Sequence, residues 1–135
     1  MDKSLGNSGD WSLKLSVEIA LKILLGLIAA LHLWFLALEM FLWRKPIGLK
    51  VFRMSQEKAD SSAVLAANQG LYNGFLAAGL IWGICPVGQV FYVRLFFLSC
   101  VAIAGIFGAV TVSKKIFFVQ ALPALIALAV LFLNK

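Results

Sequence analysis

Four long apolar runs, separated by short polar segments, set the rhythm of the chain. The first extends from Ile19 to Trp43, about 25 residues, enough to cross a bilayer with some tilt. Three more follow, from about Ala63 to Cys85, Val90 to Val112 and Ile116 to Leu133, each roughly 18–23 residues long. In hydrocarbon a lone strand leaves its backbone groups unsatisfied, so every run is predicted as a helix. Asp60, Ser61 and Ser62 offer N-caps for the second helix, and Cys85-Pro86-Val87-Gly88 ends it with a Pro/Gly turn. Ser113, Lys114 and Lys115 mark a tight turn before the fourth, which Pro123 should kink or relieve of one carbonyl bond. The expected fold is an all-α membrane protein, a four-transmembrane-helix bundle in a single membrane domain over 1–135.

Between the first two runs lies a basic loop, 44–62. In it Ile47, Val51 and Met54 recur at helical spacing, so Ile47–Lys58 is expected either to lie flat on the membrane surface or to be a solvated loop. Residues 1–14 are polar and are expected to be loose. The first run is longer than a signal-peptide core and no small-residue cleavage site follows it, so it reads as an uncleaved anchor. Ala66, Gly70, Gly74 and Ala78 form a small-residue ridge on the second helix, and Cys100, Ala104 and Gly108 another on the third.

Composition narrows the class. The chain is 62% hydrophobic and 13% charged, with mean hydropathy +0.97, too apolar for a soluble domain of this size. Its net charge of +6 comes from cations clustered between apolar runs, which points to anionic lipid headgroups and away from nucleic acid. Arg44, Lys45, Lys50, Arg53 and Lys58 with Lys114 and Lys115 put seven cations on one side. Lys3, Lys14, Lys22, Arg94 and Lys135 put five on the other. The loops after helices one and three are thus assigned to the cytoplasm of a cell-membrane protein, and both termini to the outside. Cys85 and Cys100 show no metal or redox spacing and read as separate thiols.

The chemistry sits in a few polar residues inside apolar runs. Nine Leu, three Ile and two Phe in the first run contribute about −4 to −8 kcal/mol to insertion, against roughly +2.5 to +3.5 for a central acid. Insertion wins, but Glu39 should face protein, water or a ligand before it faces lipid. His32 shares its helical stripe, though the two lie about 10.5 Å apart along the axis, too far for a direct bond. Asn68, Gln69 and Asn73 in the second helix and Gln120 in the fourth fall at comparable depths, all toward the cytoplasmic leaflet. These six are the candidate ligand-binding residues of a shared polar cavity. Set against that cavity are packing amides and an ion pair of Glu39 with Arg44 or Lys45.

The blocks His32…Leu38-Glu39-Met40-Phe41-Leu42-Trp43, Asn68-Gln69-Gly70-Leu71-Tyr72-Asn73-Gly74, Ala104-Gly105…Gly108-Ala109 and Gln120…Pro123-Ala124 resemble the small membrane proteins of the domain of unknown function 1304 family. The resemblance covers about residues 20–133 and implies a compact four-helix membrane protein, with no established activity attached. The expected function is binding or transport of a small amphiphile, a cation or a proton. Transport would favour a homodimer. A membrane enzyme using Glu39 and His32 as acid and base on a lipid-like substrate, or a structural subunit, are the alternatives. No metal site, cofactor or nucleophile constellation is expected.

Overall fold

The computed structural model describes residues 8–86 and 88–135, and every ordered element in them is helical. Helix α1 runs over Ser8–Met40, α2 over Pro46–Phe52, α3 over Gln56–Ile84 and α4 over Val90–Thr111. A π-helical turn at Phe117–Ala121 leads into α5, Leu122–Leu133.

Two of these helices, Gly9–Met40 and Val90–Thr111, are long and apolar enough to cross a membrane. The fourth apolar run forms a shorter helix, Phe117–Leu133. Helix α3 matches α1 in length class but carries polar residues along its first half.

Local chemistry explains most boundaries. Proline at the start of α2 supplies a preset φ and lacks only an N–H that the helix could not use there. Arg53 then takes a left-handed conformation (φ 50°), which ends α2 after seven residues. Of the two expectations for Ile47–Lys58, a flat helix or a solvated loop, neither holds over the whole segment, since α2 ends at Phe52 and α3 begins at Gln56. The cap of α3 is also earlier than expected: Ser55 accepts the Lys58 backbone N–H at 3.3 Å, and Asp60, Ser61 and Ser62 lie inside the helix. Ser8–Lys14, expected to be loose, are the first turns of α1, whereas residues 1–7 lie outside the described residues. The turn after α3 forms at Cys85 and Pro86, with Gly88 at φ +62°; Val87 lies outside the described residues.

Pro123 acts as anticipated. It offers no N–H to the carbonyl four residues back, and the chain answers by widening one turn, with the Leu122 N–H donating to Phe117 five residues earlier.

The four long helices pack in a closed order: α1 on α3, α3 on α4, α4 on α5, and α5 back on α1. Leu25 meets Gly83 while Leu36 and Met40 meet Gly70, so α1 and α3 run antiparallel. Leu21, Leu25, Leu80, Leu98, Val101 and Ala124 form the centre of the apolar core. Small residues let the backbones approach. A Cβ on Gly70 would meet Met40 Cγ at 2.7 Å and the Leu36 carbonyl oxygen at 3.2 Å. On α4 the closest approach is at Gly105, where a Cβ would lie 2.6 Å from the Ala121 backbone nitrogen. The ridge predicted through Ala104 is thus displaced by one residue, since Ala104 is exposed; Ala78, the last member of the α3 ridge, is exposed as well. Period alone does not say which of two adjacent small residues faces the neighbour, because one residue rotates the face by about 100°.

Candidate functional site

Glu39 lies in the last turn of α1, and the antiparallel register sets it opposite the middle of α3. Its residue is only 5% exposed. Asn73 donates its side-chain N–H to Glu39 Oε2 at 2.7 Å, so the carboxyl is gripped by a neutral amide from the neighbouring helix. Gly70, one turn before Asn73, makes room for this contact: a Cβ there would lie 3.0 Å from Glu39 Cβ. The alternative ion pair is absent: among the described residues neither Arg44 nor Lys45 lies within salt-bridge distance of Glu39.

Beside this pair opens a cleft of about 650 Å³, within the size range of small-molecule sites. Glu39 and Asp60 bring acids to it, Arg44 and Lys45 bring bases, and Ala63, Val64 and Ala67 make an apolar wall on α3. Trp43 stands at its edge, fixed by an indole N–H bond to Ser62 Oγ (3.2 Å) and by its ring against Phe52, 4.6 Å between centroids. Asp60 accepts from Gln56 at 3.1 Å.

The six sequence candidates divide. Glu39 and Asn73 come together. His32 is wholly buried; its Nδ1 donates to the Ile28 carbonyl of its own helix at 2.8 Å, and its Nε2 has no partner among the described residues. It does not line the cleft. Gln120, in the π-helical turn, reaches the Val101 carbonyl at 3.5 Å, a long contact that belongs to the packing of α4. Asn68 and Gln69 are exposed and join neither Glu39 nor the cleft. The single cavity expected from a shared depth is corrected to one bonded pair and separate contacts: Asn68 lies about 140° around α3 from Asn73, and Gln69, a turn before Asn73 on the same side, is exposed and makes no bond to Glu39.

A second polar cluster escaped the sequence reading. Arg94, 5% exposed near the start of α4, forks onto Glu18 of α1 with bonds of 2.9 and 2.6 Å. Its Nε donates to the Gly83 carbonyl at the end of α3 (2.7 Å), and Asn134, just after α5, donates to Glu18 at 2.9 Å. Lys22 approaches the same carboxylate at 3.7 Å. One carboxylate–guanidinium pair therefore ties all four long helices together. Glu18 precedes Glu39 by 21 residues, about 31 Å of helix, so the polar groups are not confined to one end as the sequence suggested. The available signal was a lone arginine inside an apolar run, which demands a partner.

Among the described residues no group of three or more His, Cys, Asp or Glu could hold a metal ion. Both cysteines are free thiols.

A family model described as "Protein of unknown function (DUF1304)" matches residues 26–132. The chain belongs to this family. A relative, the "Uncharacterized protein YpaA" of Lactococcus lactis subsp. lactis (strain IL1403), is 36% identical over 112 residues, covering 80% of this chain and 93% of its own. No solved structure matches. The matched range holds Glu39, Asn73 and the start of α3, whereas Glu18 and Asn134 lie beyond its ends.

Proposed function

We propose that this member of the DUF1304 family is a four-span membrane protein that binds a small amphiphile, through an ammonium group, in the cleft beside Glu39. Several observations support four crossings. Only 28% of the apolar window of α1, and of α4, is buried, which is too little for the core helices of a soluble protein. Leu27, Phe75, Phe107 and Phe132, from four different helices, are all more than half exposed, as side chains facing acyl chains would be. The charge bias favours loops one and three in the cytoplasm and both termini outside.

The observation that carries the binding reading is the Glu39 carboxyl. It is nearly buried, its one hydrogen-bond partner among the described residues is neutral, and it opens onto a cleft with an apolar wall. An acid so placed at the membrane boundary gains most from an ammonium group in a headgroup whose tail follows the apolar wall. The acid–base enzyme alternative draws no support from the geometry, since His32 is turned into the core and away from the cleft.

The test is binding of dodecylammonium to the purified protein in dodecylmaltoside, measured by equilibrium dialysis. Glu39→Gln keeps the shape and the Asn73 contact and should weaken binding at least tenfold. Equal binding by wild type and variant refutes the reading.

A further inference from the structure

The cleft holds charges of both signs that do not neutralise one another. Glu39 and Asp60 line it together with Arg44 and Lys45, yet none of the ion pairs among the described residues joins these four. Glu39 Oε1 has no hydrogen-bond donor among the described residues, and Asp60 has only the Gln56 amide. A simple cation would satisfy the acids and leave two bases facing it, whereas an anion would do the reverse. A ligand with an ammonium and a phosphate a few ångströms apart satisfies both.

The walls supply the rest of the shape. Asp60, Ala63, Val64, Ala67 and Leu71 recur at three- and four-residue steps, so they form one stripe of α3 that passes from charged to apolar. Val64 is 79% exposed and Leu71 is also exposed, which leaves this stripe open along its length. An acyl chain lying on it would descend from a headgroup held at the cleft. The ammonium end is further constrained. Phe41 and Trp43 are the aromatic residues lining the cleft, and Trp43 is already bonded to Ser62 and packed on Phe52, so these two rings do not enclose a quaternary ammonium as a cage would. Carboxylate oxygens reward N–H donors, which a primary ammonium has and a trimethylammonium lacks.

We propose that the ligand of this cleft is a phospholipid with a zwitterionic, primary-ammonium headgroup, its ammonium held by Glu39 and Asp60 and its phosphate by Arg44 and Lys45. This rests on the binding reading above and names the class of amphiphile.

The experiment is native mass spectrometry of the full chain in detergent, titrated with dioleoyl phosphatidylethanolamine, phosphatidylcholine or phosphatidylglycerol. The ethanolamine lipid should bind at least tenfold tighter than the other two. Arg44→Gln/Lys45→Gln, at exposed positions, removes the partners of the phosphate and should weaken binding of the ethanolamine lipid at least tenfold. Asp60→Asn should reduce it. A preference for phosphatidylglycerol, equal binding of all three, or binding of the ethanolamine lipid undiminished in the double variant overturns the proposal. Free phosphoethanolamine serves as the second arm; if it binds as tightly as the lipid, the site serves a soluble headgroup and the lipid assignment falls. Loss of the ethanolamine preference with Glu39-dependent dodecylammonium binding intact sinks this inference alone, whereas Glu39-independent dodecylammonium binding sinks both.

Discussion

Replacing Glu18 by Gln should destabilise the bundle more than removing Arg94, although the two form one ion pair. The reason is the difference in burial: the Arg94 side chain is 6% exposed and that of Glu18 29%. Glu18→Gln leaves a guanidinium charge in the helix packing with only the Gly83 carbonyl and a neutral amide to face. Orphaning a buried charge of this kind costs about 3–5 kcal/mol, and the retained Gly83 bond places the variant near the lower figure. Arg94→Met leaves Glu18 with Asn134, with Lys22 and with solvent, so the loss is that of hydrogen bonds to a partly hydrated acid, about 1–2 kcal/mol. The double variant orphans no charge and should cost about 1–2 kcal/mol as well, which gives a coupling near 3 kcal/mol in the cycle. Reversible unfolding of the four proteins in mixed micelles, followed by far-UV circular dichroism, measures it. Additive single costs, or an Arg94→Met variant weaker than Glu18→Gln, would refute the assignment of this pair as the knot between the helices.

Other substitutions probe the packing and the site. Gly105→Ala should destabilise by about 1–3 kcal/mol despite the better helix propensity of alanine, because the new methyl meets the Ala121 backbone. Gly26→Ala, whose Cβ would find only Ile84 Cδ1 at 3.9 Å, should be neutral or slightly stabilising, and thermal melts of the pair make the comparison. His32→Leu removes a buried nitrogen that has no partner among the described residues, so stability should hold or rise by about 1 kcal/mol, with dodecylammonium binding unchanged. A loss of binding in that variant would return His32 to the site. Asn73→Leu strips Glu39 of its one amide donor and should alter the affinity for dodecylammonium by more than threefold without unfolding the protein, as read by dialysis beside circular dichroism.

The apolar runs settled much of the protein before any packing was known. Their length and composition determined that the chain is helical, where its turns fall at Ser113–Lys115 and Pro86, and that Pro123 must disturb its helix. They also marked Glu39 and Asn73 as out of place in hydrocarbon. These are local properties, decided by the hydrogen-bonding needs of the backbone and by hydropathy over some twenty neighbours. Which way a residue faces is another matter. Asn68, Gln69 and Asn73 look alike in sequence, and only the packing of α3 against α1 brings a half-buried Asn73 onto Glu39 while leaving the other two exposed. The partners of Arg94 were equally illegible, since Glu18 is 76 residues away and Asn134 lies at the far end of the chain. Depth along a helix follows from counting residues, but contact across helices depends on register and rotation, which are fixed by the close approaches at Gly70 and Gly105.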